Sequence, residues 1–301
     1  MMRDQADKLR QMAQNVKRQI ESEIKEGQGR SRVVVISSGK GGVGKSTLAI
    51  NLALNLCEQG QKVVLMDADM GLANLDVMLG LTPKYNLFHV IKETKKIRDI
   101  IIQGPGGLDI IPGGSGISDL ANLKEDELNK LLMEMKKLDR SYDYLIIDTG
   151  AGISKNVTAF LLAADDVLVI STPEPTSITD AYSIVKSITS NSYGGNLYLV
   201  VNRVSSNAEG IMVAEKFRLV CEKFLGQDIT ILGHIINEPL IGEGVRRQQA
   251  FVQIYPRNQA ARNIKYITGK LLGNNDIMNS AAANKSGGIK GFLDKFAGFL
   301  K

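Results

Sequence analysis

The residues with the clearest chemistry in this sequence form a glycine-rich run between an apolar segment and a helical pattern. Gly39 to Ser46 fits the spacing G-x-x-x-x-G-K-[ST] of a phosphate-binding loop. Glycines let successive backbone N–H groups turn toward a phosphate without Cβ clashes, and the following helix adds its positive N-terminal end. We expect Lys45 to reach the β- and γ-phosphates and the Ser46 hydroxyl to ligate Mg²⁺. The predicted nucleotide contacts are Gly41, Gly42, Val43, Gly44, Lys45, Ser46 and Thr47.

Carboxylates follow two further apolar runs. One run ends in Asp67 and Asp69, and the other ends in Asp148, which glycines follow. Two carboxylates two positions apart at a strand end could hold a metal-bound water or orient a nucleophilic one, although a simple turn is the alternative. A buried strand that delivers one carboxylate beside the phosphate loop predicts Asp148 as a ligand of Mg²⁺, usually through water.

The elements that must position these residues alternate along the chain. Short, β-branched apolar runs are typical of parallel strands covered on both faces, and they occur at 33–37, 62–67, 144–148, 167–171 and 197–202, with two more at 108–111 and 229–235. Helical patterns lie between them, including 124–138, 177–190 and 208–225. Right-handed crossovers would make this a three-layer α/β P-loop NTPase with a mostly parallel twisted sheet. In such sheets ligands bind at the carboxyl ends of the strands.

Composition narrows the class of protein. The 301 residues suit one α/β domain with appended ends, and no run approaches the ~18 apolar residues of a membrane span. Cys57 and Cys221 lack metal-ligand spacing, so we expect two reduced cysteines in a cytosolic protein. Residues 1–32 carry a net charge of +3, 257–301 carry +6, and the body between them carries −4. The basic ends therefore favour contacts with anionic surfaces or partners.

Both ends of the chain have amphipathic patterns outside the nucleotide motifs. Residues 2–26 predict a helix that binds a partner, with a solvated tail as the alternative. Residues 273–288 predict a flexible linker, and 289–301 an amphipathic helix. The predicted division is therefore a leader at 1–31, an ATPase domain at 32–272, the linker and the final helix.

The final helix suits a lipid interface, because lysines border its wide aromatic face. It is short and contains two glycines, so we expect it to be mostly disordered until it meets a surface. A helix docked on its own body or across a dimer is the alternative. The residues predicted to enter the membrane are Ile289, Phe292, Leu293, Phe296, Phe299 and Leu300.

A second lysine, Lys40, distinguishes the loop from the plain phosphate-binding pattern. Residues 39–46 resemble the deviant Walker A motif of the MinD/ParA family. The resemblance implies a homodimer in the ATP-bound state, in which Lys40 reaches the phosphates bound by the partner subunit, whereas the alternative is a solvated surface lysine. Residues 67–76 resemble the switch I region of MinD, which implies that Asp69 positions the attacking water and Asp67 supports the Mg²⁺ shell. Residues 148–152 resemble its switch II.

The same resemblance favours ATP over GTP. It implies that Asn202, in the strand-end pair Asn202-Arg203, bonds the adenine amino group. The run 202–205 lacks the carboxylate that would bond the amino edge of guanine. Pro239, which follows a later strand, is expected to border the base. The implied cofactors are therefore ATP or ADP and Mg²⁺.

Within the family, the chain resembles the FlhG (YlxH/FleN) group, ATPases that control flagellar number and placement. The leader motif resembles the FlhG activator of FlhF, an SRP-type GTPase, and consists of Asp4, Gln5, Ala6, Leu9 and Arg10. The resemblance also implies contacts with flagellar switch-complex (C-ring) proteins and a peripheral position on anionic lipid at the inner face of the cell membrane.

Three other functions remain open. The first is placement of the division site, as in MinD, and it gives the leader no role. The second is DNA segregation, as in ParA, which the acidic body disfavours. The third is a metal-cluster carrier like the nitrogenase iron protein, for which two distant cysteines offer little support.

Overall fold

The computed structural model describes residues 31–69, 74–114, 123–278 and 287–300. Within them the chain forms an eight-stranded sheet with the order β3-β4-β2-β5-β1-β6-β7-β8. Every neighbouring pair is parallel except β3 and β4. The strands are β1 Arg32–Ser37, β2 Val63–Ala68, β3 Ile102–Gln103, β4 Asp109–Ile111, β5 Tyr144–Thr149, β6 Asp166–Ser171, β7 Asn196–Val204 and β8 Thr230–Ile236.

Helices cover both faces of this sheet. One face carries α3 to α8 and α12, and the other carries α1, α10 and α11. The described helices are α1 Lys45–Glu58, α2 Leu75–Met78, α3 Leu87–Ile91, α4 Ile97–Ile100, α5 Glu125–Lys136, α6 Lys155–Ala163, α7 Pro175–Ser190, α8 Asn207–Leu225, α9 Pro239–Arg246, α10 Phe251–Ile254, α11 Gln259–Met278 and α12 Gly288–Leu300. The three-layer α/β architecture predicted from the sequence is therefore confirmed.

The continuous apolar character of the strands follows from this double cover. In β1, Val33 and Val35 enter the core on one face, while Val34 and Ile36 enter the core on the other. Successive side chains of a strand point to opposite faces, so a strand between two helical layers needs apolar residues at every position. Parallel register then aligns the carboxyl ends of the central strands, with Ile36 and Asp67 both opposite Asp148.

The C-terminal helix differs from the expectation of a segment that is disordered away from a membrane. The structure has α12 formed and packed on α5, α6 and β1, and α11 continues to Met278, inside the predicted linker. The Phe296 ring stacks on Phe160, with 4.4 Å between centroids. Lys155 Nζ donates to the carbonyl oxygen of Leu300 over 2.7 Å. The docked alternative is therefore the arrangement found.

Burial explains why this short helix is formed. Five of its large apolar residues are almost fully removed from solvent, and each contributes ~1.5–3 kcal/mol when buried. This burial offsets much of the cost of ordering a thirteen-residue helix, which would be only marginally stable by itself. Phe299 is the exception among the predicted membrane residues, because it remains 42% exposed. The five buried residues are Ile289, Phe292, Leu293, Phe296 and Leu300.

The described residues from 31 to 300 form one compact unit. The predicted leader, with Asp4, Gln5, Ala6, Leu9 and Arg10, lies outside the described residues. Among the helices that the structure describes, none is both long and apolar enough to cross a membrane.

Candidate nucleotide site

The phosphate loop runs from the end of β1 to the start of α1. Gly42 and Gly44 have φ angles of 78° and 95°, in the left-handed region that favours glycine. A Cβ at Gly39 would lie 2.3 Å from the backbone of Asp180 in α7, so only glycine fits there without a shift. The glycines at these three positions are thus required by backbone conformation or by close packing.

The loop is suited to hold phosphate. In the described part of the chain, the first turn of α1 has no acidic side chain and its N-cap residue makes no side-chain hydrogen bond. The backbone N–H groups of that turn, which have no partners within the helix, therefore remain available to an anion. The space around Gly41 is open. Backbone donors at a helix N-terminus beside a buried lysine match the chemistry of a nucleotide phosphate.

A buried ion pair crosses the centre of the site. Lys45 Nζ lies 2.6 Å from Asp148 Oδ1, and both side chains are buried. Burial raises the pKa of Asp148, while Lys45 and Ser46 act in the opposite direction. A buried lysine without a partner is costly, so Asp148 stabilises the charge of Lys45 in this site. The structure thereby brings together the predicted phosphate lysine and the predicted metal ligand.

Asp67 lies opposite Asp148 on the neighbouring strand. Its Oδ1 accepts the N–H of Asp69 over 3.1 Å, and its Oδ2 accepts the N–H groups of Asn74 and Leu75 over 2.9 and 3.2 Å. Burial, followed by the charge of Asp148, raises the pKa of Asp67 to about 7 despite these three hydrogen bonds. Asp67 therefore ties Asp69 and the start of α2 to the end of β2.

The predicted switch regions meet at one point. A Cβ at Gly150 would lie 3.7 Å from Asp69 Oδ1, so Asp69 sits beside the first glycine after β5. The N–H of Gly152 donates to the carbonyl oxygen of Ser38 over 2.9 Å, which links this segment to the phosphate loop. A change in the loop can thus reach both segments through short contacts.

The donors at this edge of the sheet suit Mg²⁺. Ser46, Asp67 and Asp148 offer a hydroxyl and carboxylates, the hard oxygen ligands that this ion prefers. Among the described residues, however, no group of three or more His, Cys, Asp or Glu side chains has the geometry of a complete metal site. Mg²⁺ is usually held by one or two carboxylates together with water and phosphate oxygens, so these residues fit an ion that arrives with the nucleotide.

Lys40 lies apart from this buried cluster, on the surface. Its Nζ is 2.7 Å from Glu174 Oε2 and 3.5 Å from the hydroxyl of Thr176, at the start of α7. The hydrogen bond with Lys40, and then its charge, lowers the pKa of Glu174. Sequence reasoning missed Glu174. The one signal that could have found it is its position just after β6, at the carboxyl edge of the sheet.

The predicted base contacts are in different environments. Asn202 is buried, and its Nδ2 donates to the carbonyl oxygen of Val43 over 2.7 Å. Its Oδ1 accepts the N–H of Arg203, so the amide keeps one hydrogen and one lone pair for a base. Arg203 is exposed with a φ of 59°, and Pro239 is exposed at the first turn of α9. The sequence did not indicate that Asn202 supports the phosphate loop itself.

Comparison with known proteins gives four consistent findings. A family model described as an AAA domain matches residues 31–196. The antiactivator FleN of Pseudomonas aeruginosa is 36% identical over 80% of this chain and 86% of its own. The flagellum site-determining protein YlxH of Helicobacter pylori is 35% identical over 90% of this chain and 92% of its own. The MinC:MinD cell division complex of Aquifex aeolicus has a TM-score of 0.66 at 29% identity, over 81% of this chain and 96% of that one.

The sheet order, the phosphate loop and its second lysine define a P-loop ATPase of the MinD/ParA class, an ATP hydrolase whose cofactors are ATP or ADP and Mg²⁺. Within that class the chain belongs to the FleN/YlxH (FlhG) family. It is a MinD-like ATPase of the group that acts in flagellar or division-site placement.

Proposed function

We propose that this protein is an ATP-dependent dimerising ATPase that attaches to the membrane and regulates the number and placement of flagella. The observation that carries the proposal is the match with YlxH, which spans 90% of the chain and is therefore not confined to the nucleotide motifs. Division-site placement is the second candidate, favoured by the similarity to MinD of Helicobacter pylori at 32% identity.

The chemistry we propose assigns one role to each residue of the site. Lys45 leaves Asp148 and binds the β- and γ-phosphates, while the loop from Gly41 to Thr47 surrounds them. Ser46, Asp148 and Asp67 would hold Mg²⁺, the carboxylates through water, and the ion would offset the negative charge of the phosphates. Asp69 then orients the attacking water, supported by its position beside Gly150. Asn202, Arg203 and Pro239 border the adenine.

In the dimer that we propose, Lys40 supplies a further positive charge to the phosphates. Lys40 is 43% exposed, and its contact with Glu174 is an exposed ion pair, a kind that contributes little to stability. Lys40 can therefore exchange that carboxylate for a phosphate on a second subunit at small cost. An ATP-bound homodimer with two such exchanges is the active state that we propose.

Membrane attachment requires α12 to leave its groove. Its apolar face, which suits a lipid interface, is covered by α5 and α6 in the described conformation. We propose that the ATP-bound dimer favours release of α12, and that two released helices bind an anionic membrane at the inner face of the cell. One such helix binds weakly, and linking two raises attachment by ~10²–10⁴.

Two further partners belong to this proposal. The leader, through Asp4, Gln5, Ala6, Leu9 and Arg10, stimulates an FlhF-type GTPase. Flagellar switch-complex proteins bind the body, where α8 offers exposed apolar side chains that the core does not use. The most exposed of them are Ile211, Met212 and Phe224, at 59%, 63% and 66%. Exposed apolar residues on one helix are a common basis for protein contacts.

A capture experiment with and without residues 1–30 tests the biological role. Purified full-length and shortened proteins, each loaded with ATP and Mg²⁺, are offered an FlhF-type GTPase, C-ring proteins and a MinC-type division protein. We expect the GTPase to bind only the full-length chain and the C-ring proteins to bind both. Capture of the division protein alone, regardless of the leader, would support the second candidate instead.

A synthetic peptide of residues 1–23 completes this test. It should stimulate GTP hydrolysis by the FlhF-type GTPase, and a matched peptide with Leu9 and Arg10 both changed to Ala should not. If neither peptide has an effect over a wide concentration range, the leader does not activate the GTPase and the flagellar assignment loses its second support.

A further inference from the structure

Lysines and aromatic residues form a cluster around α3 that the nucleotide chemistry does not use. We call it the α3 patch, and it consists of Lys84, Tyr85, Phe88, Lys92 and Lys95. Tyr85 and Phe88 pack one side against the core and remain partly exposed. Lys95 Nζ lies 4.2 Å from the centroid of the Tyr85 ring and Lys84 Nζ lies 5.4 Å from it. Lys92 Nζ lies 5.7 Å from the centroid of Phe88.

Two of these lysines lack an acidic partner. Among the described residues, neither Lys84 nor Lys95 forms an ion pair with a carboxylate, whereas Lys92 pairs with Glu127 over 2.7 Å. The adjacent Glu93 is taken by Lys130. Two ammonium groups that share one aromatic ring repel each other, and the ring only partly offsets this. An anion between them would remove the repulsion, so their arrangement is that of an anion-binding site.

The Tyr85 hydroxyl belongs to the same arrangement. Burial tends to raise its pKa, but Lys95 and then Lys84 outweigh this and lower the pKa of Tyr85. Both ammonium groups therefore act on the phenol oxygen. A tetrahedral anion at this place would meet two cations and one hydroxyl donor, the donor types that bind phosphate.

The α3 patch lies on the same face of the sheet as α12, and both contact α5. Lys92 pairs with Glu127 near the start of α5, and Asp294 of α12 pairs with Lys136 at its end over 2.6 Å. Nine residues separate these two positions of α5, which corresponds to about 14 Å along the helix. The groove that α12 would leave therefore lies close to the α3 patch, so a membrane that takes up the released helix is within reach of the patch.

We infer that the α3 patch binds the phosphate groups of anionic lipids and is a second membrane contact beside α12. This inference rests on the proposed membrane attachment and adds the surface that meets the headgroups. Lysines contribute through attraction to the negative surface, and tyrosine and phenylalanine suit the boundary between headgroups and acyl chains. Single-stranded nucleic acid fits less well, because Lys95 covers the ring on which a base would stack.

Vesicle sedimentation of the full chain with ATP and Mg²⁺ tests the inference. The variant Lys84→Glu/Lys95→Glu should bind vesicles of phosphatidylglycerol and phosphatidylcholine at least about tenfold more weakly than the wild type. Lys265→Glu/Lys270→Glu is the matched control, since Lys270 lies 5.1 Å from the exposed Tyr266 ring on the opposite face of the sheet. It makes the same change in charge and should bind within about threefold of the wild type. Vesicle binding by Lys84→Gln/Lys95→Gln should fall between that of Lys84→Glu/Lys95→Glu and that of the control.

The outcomes separate this inference from the membrane proposal. Equal loss of vesicle binding in Lys84→Glu/Lys95→Glu and in Lys265→Glu/Lys270→Glu would show an effect of net charge alone and overturn the α3 patch as a site. Loss of binding in Phe299→Asp, with none in the Lys84/Lys95 variants, would leave α12 as the anchor and overturn the α3 patch. Inorganic phosphate or a single-stranded oligonucleotide that binds the Lys84/Lys95 site more tightly than the vesicles do would assign it to that ligand instead. Failure of the wild-type protein to sediment would overturn both proposals.

Discussion

Lys40 and Glu174 are joined by an exposed 2.7 Å ion pair that connects the phosphate loop with the start of α7. The loop lysine that distinguishes this class is thus held within its own chain by a residue on a different element. Exposed pairs of this kind are weak, so the contact orients Lys40 without locking it.

We predict that Lys40→Ala binds ATP but does not dimerise, because the cation that should cross to the second subunit is gone. Light scattering with ATP and Mg²⁺ measures the mass, and fluorescent-nucleotide titration measures binding. Glu174→Ala is the control for stability, and its free energy of unfolding should stay close to that of the wild type because exposed ion pairs contribute little. Normal dimerisation of Lys40→Ala would rule out a role across the interface.

Asp69→Ala should keep ATP and Mg²⁺ and lose hydrolysis. The proposed role of Asp69 is to orient water, a contribution worth orders of magnitude in phosphoryl transfer. Phosphate release under saturating ATP measures it, with Asp126→Ala, an exposed residue of α5, as the control that should retain turnover. A rate for Asp69→Ala within ~threefold of the wild type, or ~0.7 kcal/mol, would exclude this role.

The raised pKa of Asp67 predicts an unusual dependence of stability on pH in the protein without nucleotide. The carboxyl binds its proton more tightly in the folded state than in the unfolded state, where the pKa is 3.8. Below pH 3.8 the protonated Asp67 therefore stabilises the folded state fully. This stabilisation is lost as the pH rises toward the folded pKa of about 7.

Asp67→Asn isolates this effect, because it keeps a neutral side chain of the same shape at every pH. Its free energy of unfolding, measured by urea denaturation without Mg²⁺, should fall less steeply between these two pH values than that of the wild type. Mg²⁺ binding by the wild type should strengthen over the same interval, since the ion prefers the carboxylate. Identical slopes in the two proteins would mean that Asp67 is already ionised at low pH.

Phe299 offers a test of α12 that leaves its docking intact. Its ring is 42% exposed, whereas Phe296 is buried against Phe160. Phe299→Asp should weaken sedimentation with anionic vesicles and leave the unfolding midpoint nearly unchanged. Phe296→Asp should also lower the midpoint, because a charge is placed in an apolar groove. Full vesicle binding by both variants would show that the membrane contact does not use α12.

The sequence predicted most of the sheet because its strands are local patterns. The run 144–148 corresponds to β5 Tyr144–Thr149, and 229–235 to β8 Thr230–Ile236. The two-residue strand β3 was not predicted, since a segment so short has no periodicity and depends on pairing with β4. The helices α9 and α10 were also missed, because they are short and separated by polar residues.

Motif spacing also determined which residues surround the phosphate loop. Residues that follow parallel strands meet at one edge of the sheet, so Lys45, Asp67 and Asp148 converge once the strand order is known. This rule needs only local sequence and the parallel topology. It explains why the convergence of these three residues could be predicted from the sequence, whereas their roles toward phosphate and Mg²⁺ stay predictions.

Tertiary structure decided the contacts between elements that are distant in the sequence. An amphipathic pattern shows that α12 has an apolar face, but it does not say whether lipid, a partner or the chain's own α5 and α6 covers that face. The pairing of Lys40 with Glu174 and the hydrogen bond from Asn202 to Val43 likewise join residues more than a hundred positions apart. Such contacts are set by the packing of whole elements, and no local pattern encodes that packing.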